Sequence, residues 1–328
     1  MIKKSVLRLT CCAALLAAAI PALAQTAGTA AQVESLIKSA PPLGAGAFTL
    51  GMPRDQALAK LKSSGLLNDR FAQPEIGINF RQLPNQTMFG GSFGTTAQGA
   101  PQGFEQVYLL YTTYPTPPVV SGIVRRVGYN PSNAPNVTNT IAALKAKYGA
   151  GGVTQEYNVM SWFFDRSGHP LSASDAQKLK QVSCLEAGNT GFIGAARVAD
   201  QYLGGTARKD FLGQKIASGY VVTHGGIDGQ RASANPLNPA CLGVTYVHAI
   251  FYVRKPNNRA GFGDNDDIQN AGDWSRFGND LVSNLTVYIM DAPLDYAASE
   301  ASRTAVLGGG AQQEQQQMNN AKKNTPNL

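Results

Sequence analysis

Charge is scarce in this chain. Asp, Glu, Lys and Arg make up 15% of its 328 residues, too little to arm the flanking positions of a long coiled coil. Histidine occurs three times, cysteine four times and tryptophan twice. A zinc centre would therefore have to be assembled from distant ligands rather than from a local motif. The glycines, 35 in number, follow no period of three, which excludes a collagen-like rod. What is present is a hydrophobic share of 43%, enough for a packed core and too much for global disorder. The charge balance is 28 basic against 21 acidic residues, a formal +7.

Part of that excess sits at the very start. Lys3, Lys4 and Arg8 precede a short apolar run, Cys11 to Ile20, then Pro21 and the small-residue sequence Ala22-Leu23-Ala24. This is the pattern of a secretory signal peptide, with cleavage expected after Ala24. The run falls short of the ~20 residues of a membrane span, and Cys11 and Cys12 open it rather than follow it, so a lipid anchor is not expected. No later segment is long and apolar enough to cross a bilayer. The expected mature chain is periplasmic or secreted. It carries about +3 on its body, without a basic run, so no nucleic-acid partner is expected. Cleavage also leaves an even pair, Cys184 and Cys241, expected to form one disulfide in an oxidising compartment. That bond would close a loop of about 57 residues, worth at most about 4 kcal/mol.

Composition divides the rest. A flexible lead-in is expected over 25–47, with a short helix near Val33 to Lys38 and a Pro/Gly linker at Pro41 to Gly46. A Gln/Asn-rich run from Gly308 to Leu328 is expected to be disordered. Between them, a break at Gly168-His169-Pro170 separates an N-terminal α+β domain, 48–168, from a C-terminal one, 169–307. Helix signals stand at Pro53 to Ser64 and at Val137 to Tyr148, each stopped by a glycine. Further helices are expected at Ser174 to Cys184, Ala195 to Leu203 and Leu294 to Ala305. Strands are expected at Glu75 to Leu83, Glu105 to Tyr114, Val119 to Tyr129, Tyr157 to Asp165, Gly219 to His224, Val244 to Arg254 and Leu285 to Met290. Strands in adjacent pairs with a few helices predict an α+β fold with mainly antiparallel sheet. The first two helices share an Ala/Leu/Lys sequence before their glycines. That match is either an internal repeat or the chance likeness of two ordinary helices.

Phe48-Thr49-Leu50-Gly51-Met52-Pro53, followed by a helix ending at Gly65, resembles the helix opening of the BamE/SmpA-like envelope proteins. Leu144, Tyr148-Gly149 and the strand Trp162-Phe163-Phe164-Asp165 are similar to the helix, turn and Trp-centred strand of the same group. The likeness covers about 120 residues; the lipid-attachment motif is absent and the chain is longer. It implies small α+β modules that act as scaffold or binding pieces of the cell envelope, with no catalytic residue to carry over.

Chemistry-bearing patterns are few. Gly90-Gly91-Ser92-Phe93-Gly94 fits the G-x-S-x-G pattern of a nucleophile elbow, with His224 and His248 downstream as bases. Its flanks are poor strand and poor helix, so a Gly-rich loop is the expectation. His169, His224 and His248 are too widely spaced for a local zinc motif. Asp264, Asp266 and Asp267 gather oxygen ligands in one loop, but Ile268 breaks the calcium pattern and a solvated loop is expected. Gly44 and Gly46 lack the rest of a phosphate loop. Tyr108, Tyr111 and Tyr114 share a strand at a spacing of three, so they form no single aromatic platform. Trp274, in a polar loop, is the aromatic candidate for sugar or peptide contact. The expectation is a non-enzymatic periplasmic, envelope-associated binding or scaffold protein without cofactor or metal, its partner an envelope protein or cell-wall component. The alternatives are an exported serine hydrolase using Ser92 and a carbohydrate- or peptidoglycan-binding module.

Overall fold

In the computed structural model the described residues are 29–79, 87–96, 103–112, 114–156, 159–181, 243–254 and 277–323. Their chain order is α1 (Ala30–Lys38), β1 (Gly44–Ala45), β2 (Phe48–Thr49), α2 (Arg54–Ser63) and a first run of strands, β3 (Gln73–Asn79), β4 (Thr87–Thr95), β5 (Gly103–Tyr111) and β6 (Val120–Tyr129). Then come α3 (Val137–Tyr148), β7 (Thr154–Glu156), β8 (Val159–Phe164), α4 (Ala173–Gln181), β9 (Thr245–Arg254), β10 (Leu281–Asp291) and α5 (Ala292–Lys323).

Eight strands form one sheet in the order β3-β4-β5-β6-β10-β9-β8-β7, and every pairing is antiparallel. The class is α+β. The order hides a repetition. A helix followed by a four-strand meander occurs twice, as α2 with β3 to β6 and as α3 with β7 to β10. The last strands of the two units, β6 and β10, pair at the centre, and their first strands, β3 and β7, lie at opposite edges. The shared Ala/Leu/Lys helices thus occupy matching places in two matching units. The expected break after Gly168 falls inside the second meander, where β8 pairs with β9 across it from Val159↔Ile250 to Phe164↔Thr245.

Alternation decides the sheet's faces. Leu109, Ile123, Ile289, Val247 and Trp162 sit opposite one another across five successive strands and belong to one buried cluster with Ala57 and Leu61 of α2, Leu144 and Tyr148 of α3, and Ala45 and Phe48. The small β1–β2 ribbon, turned at Gly46 (φ +61°), adds its apolar side chains to that cluster and packs on β6 and β10 at the seam between the units. Glycine at the first position of a two-residue hairpin turn meets no Cβ penalty.

Three expectations are corrected. The described part of the 25–47 lead-in, expected to be flexible, has regular structure. It holds α1, which starts three residues before the predicted helix with Thr29 as its cap, and Leu43 and Ala45 are core residues. The Gln/Asn-rich tail, expected to be disordered, is helical through Gly308-Gly309-Gly310 to Lys323. Its first turns are held by Leu294, Ala297, Ala298 and Ala301 packed with Val33 of α1. Once a helix is nucleated, adding Ala, Gln, Glu and Lys residues is inexpensive, and they follow three glycines that cost about 1 kcal/mol each. The Gly90 to Gly94 segment is not a loop but part of β4, paired on both sides. Its glycines make room. A Cβ on Gly94 would lie 2.7 Å from Leu61 Cδ2 and 2.9 Å from Leu66 Cβ, and one on Gly91 would lie 2.7 Å from the Leu109 carbonyl oxygen. No described helix is long and apolar enough to cross a membrane.

Candidate functional site

Among the described residues, those singled out in the sequence do not assemble. Ser92 lies on the helix-covered face of β4, fully buried. Its hydroxyl donates to the Pro74 carbonyl at 2.6 Å and lies 2.9 Å from the Tyr111 hydroxyl. Burial pushes the Tyr111 phenol up to about 12 despite that bond, so the pair is a neutral internal clamp. His248 belongs to β9, whose neighbour Val247 faces the helices, so its imidazole points to the other face. There Nδ1 lies 2.8 Å from Ser161 Oγ, and the ring is 6.0 Å from that of Tyr288. Burial lowers the imidazole pKa to about 4, so it is neutral at neutral pH. Ser92 and His248 are separated by the whole thickness of the sheet and by four strand spacings, roughly 19 Å. No proton passes between them at that distance.

His169 is exposed beside Asp165 in the turn after β8. His224, Asp264, Asp266, Asp267, Trp274, Cys184 and Cys241 lie outside the described residues. Among the described residues no three His, Cys, Asp or Glu side chains gather as metal ligands. Tyr108 and Tyr111 do fall on opposite faces, Tyr111 within the helix-side cluster.

A different place has the makings of a site. A cleft of about 400 Å³ opens between α3, β6, β10 and the β1–β2 turn. Arg125, Leu285 and Val287 line it from the sheet; Asn139, Ala143, Leu144 and Lys147 line it from α3. The helix is placed firmly. Asn136 caps it by accepting the Asn139 amide at 2.7 Å, and the Val137 and Thr138 amides donate to Asp280 and Gly278 carbonyls. At its other end Gly149, with φ +98°, stops the helix, and its carbonyl accepts from Trp162 Nε1 at 2.9 Å. The Tyr148 hydroxyl donates to the Gly44 carbonyl at 3.0 Å, tying α3 to the ribbon. Short polar bonds at both ends hold α3 in place beside the cleft.

The cleft is open on its helix side, where Lys147 and Asn139 are exposed to solvent. Arg125 donates through Nε to Glu105 at 2.7 Å, and its two terminal nitrogens have no protein partner among the described residues. Lys147 has no acidic partner among them either; its ammonium lies 5.5 Å from the Tyr148 ring. Burial, and then the neighbouring Arg125 charge, holds the Lys147 pKa below the ordinary lysine value. Tyr129, also at the cleft, has its phenol pKa raised by burial, with Arg125 opposing. Two cations facing one carboxylate leave about one net positive charge at a cleft walled mainly by aliphatic carbon. Apolar walls with a few convergent polar groups are the usual make-up of a small-molecule site.

Sequence reasoning missed these residues, yet one signal was there. In Val120–Tyr129, Arg125 alternates with Ile123 and so stands on the face that the helices cover. A cation at an inward strand position asks for an explanation. Lys147 carries no such mark, since a lysine near a helix C-terminus is ordinary. Comparison with known proteins adds nothing to this geometry: no family model, curated protein or solved structure matches the chain.

Proposed function

We propose that the chain is an exported, envelope-located binding or scaffold protein rather than an enzyme. The observation that carries the binding reading is the cleft beside α3, where Arg125 and Lys147 present donors without a protein partner among the described residues against aliphatic walls. The signal-peptide pattern of the first 24 residues supports export. The likeness of the Gly51-Met52 helix opening and the Trp162 strand to BamE/SmpA-like proteins supports an envelope setting. The two likenesses fall in different units and at different points, one at the opening of α2 and the other at the end of α3 and in β8. The hydrolase alternative finds no support in the placement of Ser92 and His248, and the sugar-binding one rests on Trp274, outside the described residues.

Osmotic-shock fractionation of a bacterial host with intact-mass measurement tests the compartment. The expected product starts at Gln25, is released with the periplasm, and weighs two mass units less than its reduced form. Retention of Met1 in the cytoplasm overturns export. Ester hydrolysis abolished by Ser92→Ala would overturn the non-enzymatic reading.

A further inference from the structure

We infer that the cleft between α3 and the β6–β10 seam binds a monoanionic carboxylate carrying a straight apolar tail of about ten carbons. The inference rests on the binding reading above and gives it a ligand class. Three observations lead to it. The first is charge. Arg125 and Lys147 both line the cleft, Glu105 takes one donor of Arg125, and about one positive charge is left without a protein counterpart among the described residues. A single carboxylate matches that surplus, whereas a phosphate monoester, at about −1.5 to −2, exceeds it.

Second comes donor geometry. With Nε occupied, Arg125 offers Nη1 and Nη2, the end-on fork that fits the two oxygens of a carboxylate. Lys147 and the Asn139 amide stand on the facing helix to take the remaining lone pairs. The Asn139 side chain has no bond of its own among the described residues; its backbone amide alone is engaged, by Asn136.

Size and lining complete the match. Taking about 30 Å³ for each water-sized atom group, the cleft's 400 Å³ holds roughly a dozen non-hydrogen atoms. Leu144, Leu285 and Val287 supply aliphatic contact for the tail. A short diacid would leave those walls wet, and a neutral alcohol would leave the cations unpaired.

Isothermal titration of the full mature chain with decanoate, decanol, decyl phosphate and decyltrimethylammonium tests this. Decanoate is expected to bind at one site, at least tenfold tighter than decanol and tighter than decyl phosphate, with no binding of the cation. Lys147→Gln is expected to weaken decanoate about tenfold, the loss of one charge-assisted bond, while Lys147→Arg restores most of it. Ala143→Trp, which fills an exposed position at the cleft, is expected to abolish binding with an unchanged far-UV spectrum. Equal affinity for decanol, preference for decyl phosphate, or indifference to both substitutions would overturn the assignment. If decanoate fails while the chain is exported and matures as described, the ligand class falls and the envelope reading stands. If the chain stays cytoplasmic yet binds decanoate through Lys147, the reverse holds.

Discussion

The two units of the sheet solve one packing problem in opposite ways. In the first, α2 lies over a strand thinned by glycine: Leu61 and Leu66 occupy the space that a side chain on Gly94 would take. The chain after α2 is then tied by backbone alone, the Thr95 amide donating to the Leu66 carbonyl at 2.7 Å. In the second, α3 is received by a strand of bulky side chains, with Met160, Trp162 and Phe164 all in the core. Here the tie is a side chain, Trp162 Nε1 to the Gly149 carbonyl, with the Tyr148 ring tilted 5.4 Å from the indole. Both helices end in a positive-φ glycine, Gly65 and Gly149, and both ties run to the second strand of the meander. The lesson is that a repeated backbone need not repeat its side chains. One unit is closed by removing volume, the other by adding it, and the cleft lies beside the helix of the second.

The contrast can be broken from either side. Trp162→Ala removes the largest fully buried side chain among the described residues and the helix tie together. A loss of about 3–5 kcal/mol in urea unfolding is expected, together with loss of decanoate binding as α3 shifts. Trp162→Phe keeps most of the volume but leaves the Gly149 carbonyl without its donor, and should cost about 1–3 kcal/mol. In the other unit the dangerous change is an addition. Gly94→Ala drives a methyl into Leu61 and Leu66 and should cost about 1–3 kcal/mol by overpacking, with the cleft ligand unaffected. If Gly94→Ala proves neutral while Trp162→Ala is severe, α2 is loosely seated and the two units are not closed alike.

Titration separates two other regions. Asp291 caps α5 by accepting the Leu294 amide and pairs with Arg166, which also donates to the Leu36 carbonyl at the end of α1. One turn on, Asp295 is buried and accepts from Ser121, the extra residue of a bulge in β6. Burial raises both carboxyls, Asp295 well above the ordinary value, with Asp291 adding to it. A raised carboxyl is favoured in its protonated form, so this contribution to stability is present below the unfolded pKa and is lost as pH rises through the folded one. His248 works the other way. Its folded pKa near 4 against an ordinary 6.5 means that stability is lost as pH falls across that interval. Asp295→Asn should raise the melting temperature at pH 8 and leave it nearly unchanged near pH 4. His248→Gln should flatten the fall between pH 6.5 and 4. Parallel pH profiles for the variants and the parent would contradict both assignments.

Much of this architecture can be read from residue pattern, and the parts that cannot share a cause. Val137 to Tyr148 is a helix to the residue, because Val137, Leu144 and Tyr148 repeat on one face and Gly149 ends it. The strands Gly103–Tyr111, Val120–Tyr129 and Thr245–Arg254 fall within a few residues of their apolar runs. Strand β4 escaped because glycine has low strand propensity in isolation; its conformation is set by Leu61, Leu66 and Leu109 pressing on it, which no local window contains. The tail escaped for a similar reason, since its helix continues one nucleated some fifteen residues earlier against α1. The candidate site was the least legible of all. Arg125 and Lys147 are ordinary residues in ordinary elements, 22 positions apart in sequence, and their meeting depends on the seam between two meanders. Ser92, by contrast, matched a motif and is consumed by Pro74 and Tyr111. A motif states which atoms are available, and packing decides whether they are free.

The smallest test concerns how each helix begins. α3 has Asn136 accepting the Asn139 amide, while α2 starts at Pro53, which offers no side-chain acceptor. Asn136→Ala should therefore cost about 1 kcal/mol. Because the same turn carries Asn139 to the cleft, decanoate affinity should fall slightly with it. Pro53→Asp adds an acceptor near the α2 amides and a favourable charge at the helix N-terminus, but gives up the fixed φ of proline, −58° here. The two effects are of similar size, so a change of less than about 0.5 kcal/mol is expected. A gain well above that would mean α2 is limited by its missing cap. A loss would mean that the backbone bridge between Pro53 and Val119 depends on the ring. Either outcome locates what seats the first helix, the term least constrained in the comparison of the two units.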